Sequence, residues 1–113
     1  MVLKNFKFVS FVAVILLVSP VVQAGEVVVS QTGKTFMVKG VKVETLTIKA
    51  GDSVIFLNGD PWFHNIFSLS ELKAFDLGSY PQGQSKSVTF EKPGSLDIEC
   101  AIHPQMVLKV EIQ

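Results

Sequence analysis

Short stretches of alternating polar and apolar residues, separated by turn-forming residues, follow one another from Gly25 onward. A period of two is typical of half-buried β-strands, and Gly, Pro and Asn favour the turns between them. We predict strands at 26–30, 34–39, 45–49, 53–57, 87–90, 95–100 and 107–112. No long amphipathic helical stretch interrupts them, and 113 residues suffice for one modest core. The pattern predicts an all-β chain, a Greek-key β-sandwich of seven to eight short strands.

The segment before the predicted strand at 87–90 has a weaker pattern. Residues 70–75 are compatible with a single helical turn that Ser70 caps. Residues 76–84 contain Gly, Pro and Ser and are predicted to be a loop. We therefore expect a short helical turn or loop insertion here, and we assign it no role.

The first 24 residues differ in composition from the rest. Two lysines precede an almost unbroken apolar run that ends near Val18, and Val22-Gln23-Ala24 provides the small residues of a cleavage site. This order is typical of a secretory signal peptide. A retained anchor is the alternative, but the run is shorter than the roughly 20 residues that cross a bilayer. We predict a signal peptide over 1–24, a mature domain over 25–113 and export across the inner membrane to the periplasm.

Charge excludes one class of partner. After cleavage, eight lysines face ten acidic residues, which gives a net charge near −2, and arginine does not occur. Nucleic-acid binding depends on clustered basic charge and on arginine forks. We therefore expect no nucleic-acid partner. The sequence also shows no basic patch for anionic lipids, so we expect no membrane partner after cleavage.

The sequence Cys100-Ala-Ile-His103-Pro-Gln-Met106 places a thiolate, an imidazole and a thioether on one short turn. All three are soft or borderline metal ligands. The only other histidine is His64, so one site would use both histidines and the single cysteine. An exported domain commonly pairs its cysteines, so an unpaired thiol needs a reason, and metal coordination provides one. Two histidines, a cysteine and a weak methionine are the ligands of a blue-copper site.

Residues beside these ligands are predicted to support them. Asn65 directly follows His64, and we expect its backbone N–H or its side chain to hold the thiolate and the ligand loop. Pro104 stiffens the turn and has no N–H to donate. Met37 is a rival thioether, but it lies in a predicted strand, where we expect it to be a core residue.

The chain resembles the small cupredoxins, the blue-copper proteins of plastocyanin and amicyanin type. The resemblance rests on Asn58-Gly59-Asp60-Pro61 followed by His64-Asn65, and on the Cys-x2-His-x2-Met motif at 100–106. It implies a cupredoxin-like Greek-key sandwich over 25–113 with one type 1 copper ion. It also implies that His64, Cys100, His103 and Met106 bind the copper, and that His103 presents its ring edge to partners through an apolar patch.

The leading functional hypothesis is an exported carrier of single electrons that cycles between Cu(I) and Cu(II). We expect a monomer that forms transient complexes with a donor and an acceptor redox protein. The predicted contact patch around His103 consists of Trp62, Phe63, Ile102 and Pro104. No acidic patch dense enough to define a docking surface, as in plant plastocyanins, appears in the sequence.

Other functions remain as alternatives. Copper delivery or storage would use the same ligands without redox cycling. We do not expect an enzyme, because Cys100 and His103 have no orienting acid nearby, and larger copper enzymes need more than two histidines. Zinc would favour a further Cys or His over Met.

Overall fold

The computed structural model describes residues 10–15 and 24–113. Most of the predicted signal peptide lies outside the described residues. Residues 10–15 are exposed and have no regular secondary structure. Within the described part of the chain, no helix has the length and apolar character needed to cross a membrane.

Within residues 24–113, ten strands form two five-stranded sheets. In chain order the strands are β1 (Glu26–Gln31), β2 (Phe36–Val38), β3 (Val41–Lys42), β4 (Thr45–Ile48), β5 (Ser53–Asn58), β6 (His64–Ser68), β7 (Phe75–Tyr80), β8 (Ser85–Thr89), β9 (Gly94–Cys100) and β10 (Val107–Ile112). Sheet 1 has the order β3-β2-β1-β5-β8, and sheet 2 has the order β4-β10-β9-β6-β7. Residues 24–113 contain no helix. The prediction of an all-β sandwich is confirmed.

The segment around residues 70–84 differs from its prediction. Residues 70–75 form a non-helical turn that leads into β7, and β7 occupies most of the predicted loop at 76–84. Phe75 and Leu77 pack against the core, which pulls this segment into sheet 2. Gly78 interrupts the alternation of polar and apolar residues in this strand, and its φ of 69° is not that of a regular strand. The expectation of a helical turn and loop is therefore wrong here.

The pairing of β6 with β9 brings two distant parts of the chain to one end of the sandwich. The two strands are antiparallel, with Ile66 opposite Cys100. Because β6 begins at His64 and β9 ends at Cys100, the start of one strand lies at the same end of the sheet as the end of the other. This register brings His64 next to Cys100, although the two residues are 36 positions apart in the sequence.

Apart from Ser68 at the other end of β6, the buried polar residues lie at this same end of the sandwich. Val29, Phe56 and Ile98 are among its fully buried side chains. Gln31, Asn58 and His64 are also fully buried, and each lies at a strand end. Met37 is only half-buried and does not belong to the core cluster, so its expected core position is wrong. Buried polar groups are costly unless hydrogen-bonded, so their concentration here marks a constructed site.

Candidate metal centre

Three predicted ligands converge where β6 meets β9. Cys100 Sγ lies 3.5 Å from His64 Nδ1 and 3.8 Å from His103 Nδ1. All three ligand atoms lie within 4.8 Å of one another. His64 and Cys100 are buried in strands, while His103 lies on the β9–β10 loop and is partly exposed. Two ligands are thus held by a sheet and the third by a turn.

The spacing of these atoms suits a single metal ion. Ligand bonds to a first-row metal are about 2.0–2.3 Å for imidazole nitrogen and thiolate sulfur. Three such ligands around one ion in a plane stand roughly 3.5–4 Å apart, which matches the two sulfur–nitrogen distances. Two imidazoles and a thiolate form a donor set of intermediate softness. The residues present therefore fit a copper ion of the blue-copper kind.

The ligand loop between β9 and β10 is closed by backbone hydrogen bonds. The N–H of Met106 donates to the carbonyl of His103 at 2.9 Å, and the N–H of Cys100 donates to the carbonyl of Met106 at 3.3 Å. Met106 is 2 % exposed. Pro104 lies within this turn, where its ring restricts the backbone. The loop therefore buries the Met106 thioether three residues after the partly exposed His103.

Asp60 is a site residue whose role the sequence reasoning missed. His64 Nε2 donates to Asp60 Oδ2 at 2.8 Å, and the backbone N–H groups of Gly33 and Lys34 donate to the same carboxylate at 2.6 and 3.1 Å. A metal-binding histidine almost always donates its second N–H to a carboxylate or carbonyl, and that rule was the available signal. A proton on Nε2 leaves Nδ1 free to bind a metal.

Burial raises the pKa of Asp60, but hydrogen bonds from His64, Gly33 and Lys34 outweigh that effect and hold the pKa below its ordinary value. Asp60 therefore remains an anion although it is only 3 % exposed. A fixed negative charge on Nε2–H keeps the imidazole in one orientation and makes Nδ1 a better donor.

Asn58 holds the loop that carries Asp60. Its Oδ1 accepts the backbone N–H of Asp60 at 2.8 Å, and its Nδ2 donates to the carbonyls of Trp62 and Tyr80 at 2.8 and 2.9 Å. Asn58 is fully buried, so these bonds are protected from water. The sequence Asn58-Gly59-Asp60-Pro61 is thus a support for the ligands rather than a simple turn.

Asn65 contacts the ligand loop in a different way from the one expected. Its backbone carbonyl accepts the N–H of Ala101 at 2.9 Å. Its side-chain Oδ1 is buried and has no hydrogen-bond partner in the described structure. The residue therefore ties β6 to the loop after Cys100 through its carbonyl, whereas we expected its N–H or its side chain.

The predicted contact residues are exposed beside His103. Trp62, Phe63 and Ile102 are 40 %, 54 % and 49 % exposed, and Pro104 is exposed as well. The Trp62 ring lies 6.3 Å from the His103 ring, measured between centroids. Partial burial, followed by the charges of His64 and Lys34, lowers the pKa of His103. A lowered pKa keeps this imidazole neutral and able to bind a metal.

Comparison with known proteins gives a consistent picture. No family model matches the chain. The chain is 34% identical over 71 residues to amicyanin from Paracoccus versutus; this stretch is 60% of the chain and 54% of that protein. The chain thus spans about half the length of this relative.

Solved structures extend the likeness to most of the chain. The Cu(I) form of a methionine-to-alanine mutant of amicyanin is 26% identical, with a TM-score of 0.69, and the match covers 81% of this chain and 86% of that one. A copper-containing nitrite reductase from Thermus scotoductus is 24% identical with a TM-score of 0.67, over 78% of this chain but 22% of that one. The latter likeness shows the fold alone.

Proposed function

We propose that the chain is a small cupredoxin of amicyanin-like fold, and that it is an exported type 1 copper protein that carries single electrons between redox partners. The observation that supports this function best is the convergence of Cys100 Sγ with the two histidine Nδ1 atoms. We further propose Met106 as a weak fourth ligand, because its place in the closed loop buries it directly after His103. Copper, when bound, would supply a reversible one-electron step between Cu(II) and Cu(I).

The role of the surrounding residues is to keep the ligands in one arrangement. Asp60 orients His64 through Nε2–H, Asn65 ties β6 to the ligand loop, and Pro104 limits the movement of that loop. A site that cannot relax toward the geometry favoured by either oxidation state needs little reorganisation when an electron moves. Rigidity at this centre therefore supports fast electron transfer.

His103 is the proposed point of electron entry and exit. It is the one ligand of the three that is partly exposed, and Trp62, Phe63, Ile102 and Pro104 surround it with apolar surface. A small apolar contact of this kind suits weak complexes that form and separate quickly. We propose a monomer that uses this patch for a donor and an acceptor protein in turn, without enzymatic activity of its own.

Export to the periplasm is part of the proposal. Its support is the order of basic, apolar and small residues over 1–24. The ten strands of the described residues lie between residues 26 and 112, so a chain cleaved after Ala24 keeps all of them. Mass spectrometry of the exported protein would identify Gly25 as its first residue if the proposal is right.

The test of copper chemistry is to add Cu(II) to the purified mature chain and record visible and EPR spectra. We expect an intense blue thiolate-to-copper band and a narrow copper hyperfine splitting. The variant Cys100→Ala should lose the band entirely. A pale spectrum typical of tetragonal copper in the unmodified chain, or a blue band that survives in Cys100→Ala, would contradict the proposal.

Variants of Met106 and Met37 form a matched pair that tests the proposed fourth ligand. Met106→Leu removes the buried thioether, which should raise the reduction potential and change the blue spectrum, because the axial ligand tunes both. Met37→Leu changes the half-buried methionine of β2 and should leave both unchanged. Equal effects from the two variants would remove Met106 from the ligand set.

The rate at which the protein loses copper to a chelator distinguishes copper delivery or storage from electron transfer. The burial of His64 and Cys100 favours retention of the ion. We expect a reversible redox wave and slow loss of copper to a weak chelator. Rapid loss without such a wave would favour delivery.

A further inference from the structure

Three lysines line one groove beside the ligand loop. Lys34, Lys42 and Lys109 form its walls together with Met106, and its volume is about 540 Å³. The one acidic residue in the lining, Glu44, lies 3.9 Å from the ammonium group of Lys42. Positive charge is therefore in excess here, although the mature chain has more acids than lysines.

Lys34 connects the groove to the apolar patch around His103. Its ammonium group lies 5.3 Å from the centroid of the Trp62 ring, where a cation is attracted by the face of the indole. Its backbone is fixed by the bond to Asp60. In the loops at this end of the sandwich, 32–35, 43–44, 59–63, 81–84 and 101–106, the exposed charged side chains are Lys34 and Glu44, and Glu44 lies beside Lys42.

Acidic side chains are concentrated elsewhere on the surface. The outward face of sheet 2 carries Asp76, Asp97, Glu99 and Glu111, and Lys109 is the only lysine in the strands of that sheet. Asp97 lies opposite Lys109 in the sheet but does not line the groove. The molecule therefore has an electrostatic asymmetry, with positive charge beside the apolar patch and negative charge on a lateral face. Such an asymmetry orients an approaching partner before contact.

On the basis of the proposed electron-carrier function, we propose that this face docks an acidic redox protein. The partner would place carboxylates against Lys34, Lys42 and Lys109, while its own apolar surface covers Trp62 and Phe63. Charge complementarity selects the acidic partner, and the exposed indole supplies a rigid apolar contact. A concave groove with three lysines is a poor match to a lipid surface, since binding to anionic membranes uses clusters of about four to eight basic residues.

The single tryptophan of the chain makes this surface directly observable. Trp62 is the only Trp, so intrinsic tryptophan fluorescence reports on this patch alone. The mature chain in its reduced, copper-loaded form would be titrated at low salt with poly-L-glutamate, with poly-L-lysine and with phosphatidylglycerol vesicles. We expect poly-L-glutamate to change the emission and added salt to reverse the change, and poly-L-lysine to have no such effect.

Charge variants test whether the groove is responsible. Lys34→Glu and the double variant K42Q/K109Q should each weaken poly-L-glutamate binding by about threefold to tenfold. Lys92→Glu is the control, because it makes the same charge change as Lys34→Glu in the turn before β9, away from the ligand loop. Equal weakening by Lys92→Glu would show that net charge alone matters and would overturn the proposal. Tighter binding to vesicles than to poly-L-glutamate would overturn the assignment to a protein partner.

A kinetic measurement links the surface to electron transfer. The oxidation of the reduced protein would be followed with hexacyanoferrate(III) and with tris(phenanthroline)cobalt(III), which carry opposite charges. We expect the rate with the anionic oxidant to fall as salt is added, and Lys34→Glu to lower it more than Lys92→Glu does. A rate that rises with salt would contradict the proposed surface. If the oxidised protein showed no blue band, the proposed function would be contradicted. The fluorescence titration would still decide whether the surface binds acidic partners.

Discussion

At the level of single residues, Asp60 does the most to define the centre without being a ligand. One carboxylate accepts hydrogen bonds from His64 and from two backbone N–H groups of the β1–β2 turn. One of these comes from Lys34, whose φ of 58° lies in the left-handed region that costs an L-residue roughly 1 kcal/mol or more. The anion therefore stabilises an unfavourable turn and orients a buried imidazole together.

Replacing Asp60 with asparagine should loosen the copper site while the fold persists. An amide is neutral and has only one acceptor oxygen, so it cannot serve His64, Gly33 and Lys34 as a carboxylate does. We expect copper affinity to fall by about 10–100-fold, the range seen when such supporting partners are lost. Competition with a chelator measures this. Asp97→Asn on β9 is the control, and equal affinity of both variants would deny Asp60 its positioning role.

Tyr80 and Gln31 form another buried hydrogen bond near the site. The Tyr80 hydroxyl donates to Gln31 Oε1 at 2.8 Å, and both side chains are buried. Burial, with the charge of Cys100 as a smaller cause, raises the pKa of Tyr80 well above its ordinary value. The hydroxyl therefore remains a donor throughout the usable pH range.

Tyr80→Phe should lower the free energy of unfolding by about 1–3 kcal/mol, because it leaves the oxygen of Gln31 buried without this partner. Urea denaturation of the copper-free chain measures the change. The double variant Q31L/Y80F removes both polar groups, so it should lose less than the sum of the two single losses. Strict additivity would contradict the pairing.

At the level of elements, the sequence predicts strands well where polar and apolar residues alternate. The last strand, β10, coincides with its prediction at 107–112, and β4 and β5 differ by one residue at one end. Strand β6 was missed, because Trp62 and Phe63 precede His64 without alternation and a register shift falls between Asn65 and Phe67. The convergence of His64, Cys100 and His103 was predictable because their residue types are chemically distinctive.

The supports of the ligands were harder to predict than the ligands. Asp60 reads as part of a turn until the fold brings Gly33 and Lys34 to it from 26 or more positions away in sequence. The lysine groove likewise combines residues of β3, β10 and the β1–β2 turn. Local pattern carries no information about such pairings, because sheet order decides them.

Gly59 shows how closely the β5–β6 loop approaches β1. Its N–H donates to the carbonyl of Gln31 at 2.9 Å, and a Cβ at this position would lie 2.6 Å from Thr32 Oγ1. Gly59→Ala should therefore destabilise the fold by about 1–3 kcal/mol, the usual cost of overpacking.

Thermal unfolding of Gly59→Ala, where the clash is the cause, would be compared with that of Gly83→Ala, where nothing lies within 4 Å and the cost comes from the positive φ of 82° alone. Thr32→Ala added to Gly59→Ala should recover part of the loss, because it removes the nearest clashing atom. If Thr32→Ala gave no recovery, the close approach to Thr32 would not be the cause.

At the level of the whole molecule, Asp52 fastens the end of the sandwich opposite the ligands. Its carboxylate accepts the backbone N–H groups of Gly25 at 2.8 Å and Lys49 at 2.9 Å. The N–H of Lys49, followed by that of Gly25, lowers the pKa of Asp52 below its ordinary value. Cleavage after Ala24 would turn the Gly25 nitrogen into an ammonium group at the same place and strengthen the contact.

This contact should make the fold sensitive to acid. A lowered pKa in the folded state contributes stability above the unfolded value of about 3.9, and that stability is lost as pH falls through the folded pKa. We expect the stability difference between the unmodified chain and Asp52→Asn to shrink between pH 6 and about pH 3. Urea titrations of the copper-free protein at a series of pH values measure it. A difference that stays constant with pH would refute the assignment.

The position of β10 in sheet 2 has a consequence for the timing of folding. Strand β4 pairs within its sheet with β10 alone, and the partners are more than 60 residues apart, as Thr45 and Lys109 show. Contacts this distant in sequence place such a sandwich among the slow folders, on a scale of about milliseconds to seconds. Three of the four proposed copper ligands lie in or beside this closing region, from Cys100 onward. His64 joins them from 36 positions before Cys100, so the unfolded chain offers copper no complete site, and binding of the ion is coupled to folding.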